Sequence, residues 1–158
     1  MSMDVVPRCG LHSLLTSIVV ALALLLVPQS AVAQCDCNTS VVWDALKQLY
    51  DSTDGAYWTN SSGWLKAGST VCDWHGFSCS ALQLGSNNLR GTLPAALSAI
   101  ANVKLFNAMN NILTGTLPPQ ISVWVNLVDF YISNNSLTGT LPPEYSAWVN
   151  IAVFNAST

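Results

Sequence analysis

From Ala81 onward the apolar positions of this chain recur at a fixed interval of 24 residues. Leu82, Phe106, Phe130 and Phe154 fall into one column, and Leu84, Ala108, Ile132 and Ala156 into a second. Asn87, Asn111 and Asn135 come next, then Leu89, Leu113 and Leu137, then Leu93, Leu117 and Leu141, each of the last followed by proline. The rear of each unit repeats as Leu97/Ile121/Tyr145, Ile100/Trp124/Trp148 and Val103/Leu127/Ile151. Alternation over x-L-x-L-x predicts a short strand with two residues turned inward and their neighbours outward. A unit this short buries its apolar face only against its neighbours, so the repetition predicts a solenoid.

Written out, the unit is L-x-x-L-x-x-L-x-x-L-x-L-x-x-N-x-L-x-G-x-L-P, a leucine-rich repeat. The expected class is an α/β solenoid with short parallel strands on its concave side and an N-terminal helical cap. Asn87, Asn111 and Asn135 stand where the chain bends away from the strand. Their amides suit a structural ladder, bonding backbone groups that the bend leaves unpaired. Gly91, Gly115 and Gly139 are expected to allow the tight turn that follows, and Leu-Pro a straight segment on the far side. Trp124 and Trp148 occupy aliphatic positions and are read as core.

Ahead of the repeats, "TSVVWDALKQLYDST" (39–53) carries Val42, Ala45, Leu46, Leu49 and Tyr50 at helical spacing, with Thr39 or Ser40 as N-cap. The turn-rich stretch behind it holds Trp58, Trp64 and Trp74. An amphipathic helix and three indoles suit a cap, because an open solenoid end exposes an apolar face. The domain reading is therefore 1–33 leader, 34–79 cap, and 80–158 repeats, with three full units and part of a fourth.

Composition changes the picture at one end. The chain is 51% hydrophobic and 8% charged, but much of the apolar excess lies in "LLTSIVVALALLLV" (14–27), preceded by Arg8 and His12 and followed by Ala31-Val32-Ala33. That arrangement predicts a secretory signal peptide cleaved after Ala33. Fourteen helical residues rise only about 21 Å, short of a bilayer's hydrocarbon thickness. The mature chain keeps Lys47, Lys66, Arg90 and Lys104 against seven carboxylates, and it has no basic patch for nucleic acid. Any membrane attachment would need an anchor that these residues do not contain.

Cys35, Cys37, Cys72 and Cys79 remain after the leader, an even number suited to an oxidising compartment. C-x-C and C-x₆-C beside a lone His75 do not match zinc-ligand spacings, so no metal or other cofactor is expected. A Cys72–Cys79 bridge is expected. Cys35 and Cys37 are left open, because a bridge between them would be strained. His75, Asp73 and Ser78 supply the letters of a catalytic triad, but a small disulfide loop is a poor frame for aligning them. "DSTDG" (51–55) lacks the spacing of a calcium loop and reads as a turn. The chain is read as a non-enzyme.

The outward strand positions are the candidate ligand face. Gln83, Asn107, Tyr131 and Asn155 form its middle row. Met109 and Ser133 lie in the next row with Gly85 and Ser157, and Asp129 lies on the other flank with Ala81, Leu105 and Val153. Tyr131 and Met109 are the expected contact anchors. N-x-S/T sequons occur at Asn38, Asn60, Asn134 and Asn155. The last two would place glycans on or beside the concave face.

The cap phrase "ALKQLYDSTDGAYWTNSSGW" with "CDWHGFSC" resembles the N-terminal cap of plant-type extracellular leucine-rich repeat proteins. "LTGTLPPQISVWVNL" and "LTGTLPPEYSAWVNI" resemble the repeats of the trypanosomatid surface antigens, which include the Leishmania promastigote surface antigens. That resemblance implies a surface or shed protein that recognises host or environmental macromolecules, without catalysis. It also implies further repeats, a cysteine-bearing C-terminal cap, a Thr/Ser/Pro-rich stalk and a lipid-anchor signal. The sequence stops inside a fourth unit at Thr158, so the chain is expected to be an N-terminal fragment whose last coil exposes Trp148, Ile151 and Phe154.

Overall fold

The computed structural model describes Cys37 and residues 39–157. The leader reading of residues 1–33 and the sequon at Asn38 lie outside them. Helix α1 runs over Ser40–Ser52, and the Thr39 hydroxyl caps it by accepting the Val42 N–H at 3.3 Å. That bond satisfies one of the amides that a helix start leaves unpaired. Val42, Ala45, Leu46 and Leu49 form its buried face. At its end Thr53 is buried and returns both its N–H and its hydroxyl to the Leu49 carbonyl.

Behind α1 the indoles assemble the cap. Trp58 and Trp64 meet edge to face at 4.7 Å between ring centroids, and Trp64 lies 4.7 Å from Trp74. Each indole N–H has an acceptor: Thr53 O for Trp58, His75 O for Trp64 and Ser69 Oγ for Trp74. Burial of three indoles at no hydrogen-bond deficit lets so short a segment carry a core.

The strands are β1 (Phe77–Ser78), β2 (Ala81–Gln83), β3 (Arg90–Gly91), β4 (Leu105–Asn107), β5 (Ile112–Gly115), β6 (Asp129–Tyr131), β7 (Ser136–Leu137) and β8 (Val153–Asn155). The main sheet has the order β1-β2-β4-β6-β8, with β1 antiparallel and the rest parallel. Its register keeps the 24-residue columns together: Ala81 with Leu105, Asp129 and Val153, and Gln83 with Asn107, Tyr131 and Asn155. Between those rows Phe106, Phe130 and Phe154 stack inward, with centroids 5.3 Å apart at each step. Full burial of one such ring contributes roughly 2–3 kcal/mol. Short 3₁₀ segments, Ala95–Ala99, Pro119–Val123 and Pro143–Ala147, form the convex side and bury Leu97, Ile121 and Tyr145.

A second parallel sheet, β3-β5-β7, lies where the sequence suggested only a turn and a straight run. Its first strand also receives the cap. The Arg90 N–H donates to Thr53 O at 2.9 Å, and the Thr92 N–H donates to Ser52 O at 3.2 Å. The carbonyls that α1 leaves unpaired at its C-terminus are thus taken up by the solenoid.

Two expectations are corrected. The bridge to Cys79 comes from Cys37, across a sequence separation of 42, and not from Cys72. Cys79 sits at the start of the first repeat and faces the segment that precedes α1, at 5.4 Å between Cα atoms. Cys72, in the 3₁₀ turn Val71–Asp73, is also disulfide-bonded. The exposure expected of Trp148 in the last coil is the second correction, while its reading as core holds. Trp148 is only 4% exposed, because the Tyr145 ring stacks on it at 3.8 Å and Phe130 packs beneath it at 5.1 Å. Phe154 is 41% exposed, and Leu141 and Val153 are open beside it.

Candidate functional site: the concave sheet

The concave face rests on a hydrogen-bonded frame. The Asn111 side chain accepts the N–H groups of Asn87 (3.0 Å) and Leu89 (2.9 Å) in the preceding coil. It donates to the carbonyls of Leu84, Ala108 and Met109 at 2.9–3.1 Å. Asn135 repeats the arrangement one coil on, accepting from Leu113 and donating to Ala108, Ile132 and Ser133. Asn87 closes the series against the cap, accepting the Asn60 N–H and donating to the Asn60 carbonyl. Groups that would otherwise be buried without partners are satisfied coil by coil, which holds each strand at a fixed depth.

A second, exposed row runs beside it. Asn134 Nδ2 donates to Asn110 Oδ1 at 2.7 Å, and Asn110 Nδ2 donates to Ser86 Oγ at 3.3 Å. All three have φ near +55°, the left-handed conformation that asparagine tolerates better than most residues. In the sequence the row is the residue before each ladder asparagine, Ser86, Asn110 and Asn134, but nothing in the period alone assigned the bond.

On the frame, the outward residues of β4, β6 and β8 form a grid. Leu105, Asp129 and Val153 make one row; Asn107, Tyr131 and Asn155 make the other. Asp129 and Tyr131 are half-buried neighbours on one face of β6, about 7 Å apart along the strand at ~3.3 Å per residue. Gln83 is exposed and continues the second row toward the cap. Asn107 turns back so that its Oδ1 accepts the Met109 N–H at 3.1 Å, and Met109 is half-buried beside it. Ser133 is corrected as a contact candidate: it is only 4% exposed, its small side chain sunk in a row between Met109 and Ser157.

Charge is sparse on this face. The Asp129 carboxylate has no hydrogen-bond or ion-pair partner among the described residues, where the ion pair is Lys47–Asp51 on α1. Asp73 is held below the usual carboxylate range by the Thr70 N–H and hydroxyl, as part of a capping box. Its carboxylate is therefore committed to its own turn, while His75 is exposed and its backbone serves Ser62 and Trp64. Burial, and then the neighbouring Glu144, push the Tyr145 hydroxyl well above the ordinary tyrosine value. That hydroxyl donates to Pro118 O at 3.0 Å.

The sequons differ in setting. Asn60 Oδ1 accepts the Ser62 N–H at 3.0 Å, closing a local turn. Asn134 has its amide in the exposed row. Asn155 lies on β8, and its Oδ1 accepts the Ser157 hydroxyl at 3.2 Å. Among the described residues no group of three or more His, Cys, Asp or Glu is placed to hold a metal ion. No helix among them is long and apolar enough to cross a membrane.

Comparison with known proteins agrees with this geometry. The Leucine Rich Repeat family model matches residues 126–148, the unit that contains β6. Among solved structures, the chain is similar to the BIR2 ectodomain from Arabidopsis thaliana, with TM-score 0.64 and 24% identity over 73% of this chain and 66% of that one. It is similar to a chain of the BIR3–SERK2 complex from Arabidopsis thaliana, with TM-score 0.60 and 25% identity over 71% and 65%. The ectodomain of the Arabidopsis thaliana receptor kinase SOBIR1 gives TM-score 0.60 at 18% identity over 74% and 66%. The chain spans just under two thirds of the length of each. No curated protein sequence matches it. The protein has the fold of a leucine-rich repeat solenoid with a helical N-terminal cap.

Proposed function

We propose that this chain is a binding module of the extracellular leucine-rich repeat type and that it holds a protein partner on its concave sheet. The observation that carries the reading is the outward grid of β4, β6 and β8, open to solvent and backed by asparagines that leave it little freedom to rearrange. A pre-ordered surface loses little entropy on binding. One of the similar structures is itself a complex, BIR3 with SERK2. The Cys37–Cys79 disulfide supports an oxidising compartment, hence secretion or surface display. Within this reading 34–79 acts as cap, 80–158 as the repeat array, and Tyr131 as the central anchor.

The Trp-Val-Asn and Thr-Leu-Pro-Pro phrases favour a surface antigen of the trypanosomatid type, with a host-surface or serum protein as the partner. The chemistry at the face is recognition and not catalysis. A second reading is a glycoprotein coat component without a specific ligand, favoured by the sequons at Asn134 and Asn155 on the binding face itself.

Site-specific photocrosslinking separates the two. A benzophenone amino acid at position 131 is expected to yield one discrete adduct from serum or host-cell surface protein, and one at the exposed convex Gln120 none. Equal, diffuse labelling from both positions would favour the coat reading.

A further inference from the structure

Asp129 is the one charged residue among the outward positions of β4, β6 and β8, and its carboxylate has no hydrogen-bond or ion-pair partner among the described residues. It stands between Leu105 on β4 and Val153 on β8, with Tyr131 two residues along the same strand and the amides of Asn107 and Asn155 completing the surround. The exposed Lys104 immediately precedes the adjacent strand β4, where its carbonyl accepts the Asp129 N–H at 3.0 Å, and its ammonium forms no ion pair with the Asp129 carboxylate. From this placement we infer that the grid is an acceptor for one cationic side chain, an arginine or lysine presented by the protein partner. The inference rests on the binding reading above and assigns that site its chemistry.

Each neighbour has a part in it. The carboxylate supplies the opposite charge, and an arginine can meet it with two parallel N–H bonds. The Tyr131 ring offers a face to the same cation, an attraction that strengthens as water leaves. Leu105 and Val153 flank the place where the aliphatic stem of the incoming side chain would lie. Asn107 and Asn155 hold amide groups at the rim for the backbone of the partner. An excess of carboxylates over cations in the chain adds a long-range pull on a basic segment.

The test is a titration of the isotope-labelled, disulfide-bonded chain, produced without glycans, with the blocked tripeptide Gly-Arg-Gly, followed by backbone amide shifts. Gly-Gln-Gly serves as the neutral control. The shifts are expected to centre on β4, β6 and β8 and to saturate. Asp129→Asn should weaken the arginine peptide by about tenfold, as loss of one member of a close charge pair does. Asp129→Glu should retain most of the binding, and Tyr131→Ala should lose more than Tyr131→Phe. An unchanged Asp129→Asn titration overturns the proposal. So do shifts centred instead on Asp44, Asp51, Asp54 or Glu144, or an equal response to Gly-Gln-Gly. The photocrosslinked adduct keeps the two readings apart: a position-131 adduct indifferent to Asp129→Asn leaves the binding module standing and removes the cation site.

Discussion

Gly91 lies directly against the Ser52 carbonyl: a β-carbon built on it would stand 2.2 Å from that oxygen. This is the seam where α1 hands its unpaired carbonyls to β3, and only a residue without a side chain lets the two backbones approach so closely. Gly91 also has φ of 111°. Gly91→Ala is therefore expected to force the cap off its seat and cost about 2–4 kcal/mol. Gly115→Ala, whose β-carbon would meet only the Thr92 methyl at 3.0 Å, should cost about half as much. Chemical denaturation of the two variants gives the comparison, and equal losses would mean that the seam is not where the cap is held.

The Asn111 side chain takes part in five hydrogen bonds, and the residue is 9% exposed. Asn111→Ala strands two amides and leaves three carbonyls without that donor, with an expected loss of about 3 kcal/mol or more. Asn111→Asp should do no better, because a carboxylate would turn a negative oxygen toward the Leu84 and Ala108 carbonyls. Urea unfolding monitored by circular dichroism reads both. A loss under about 1 kcal/mol would be that of an ordinary exposed polar residue and would contradict a structural role.

Closing a loop of this length is worth about 4 kcal/mol in the chain-entropy account. Cys37→Ser should lower cap stability by that order, seen first in tryptophan fluorescence, since the cap holds Trp58, Trp64 and Trp74. Peptide mapping under non-reducing conditions is expected to recover the Cys37–Cys79 pair. Recovery of a Cys72–Cys79 peptide would contradict the arrangement.

Tyr145 gives the fold an alkaline limit. Its hydroxyl is held above its unfolded value, so the proton is bound more tightly in the native state. The associated stability is fully present below the unfolded pKa of about 10 and is lost as pH rises from there toward the folded value. Tyrosinate absorbance should show one tyrosine ionising together with unfolding. Tyr145→Phe should remove that pH dependence while costing about 1 kcal/mol at neutral pH for the lost bond to Pro118. A Tyr145 that ionises at the ordinary tyrosine value of about 10 while the chain stays folded would refute this.

The 24-residue columns made the main sheet legible, because period-2 alternation and burial are one fact seen twice: Leu82, Phe106 and Phe130 are wholly inside. Helix α1 was legible for the same reason, with Thr39, one of the two expected candidates, as its cap. The second sheet was not, since β3 and β7 are two residues each and carry no alternation of their own. Disulfide partners were illegible in principle, as spacing along a chain does not fix proximity in space. Ser133 shows a third limit: an outward-facing position is exposed only if its side chain reaches past its neighbours, and serine does not.

The asparagine frame has a consequence for how such a chain changes over generations. Each rung joins a residue to groups in the coil before it, at sequence separations of 22 to 27, and otherwise only to carbonyls of its own unit, so none refers to a distant landmark. A duplication or deletion of one whole unit would preserve every rung, the stacked rings and the register. Loss of a single residue inside a unit would break several at once. Recombination between near-identical stretches such as "LTGTLPP" makes changes of the first kind, so the number of coils is the property this architecture leaves freest to vary.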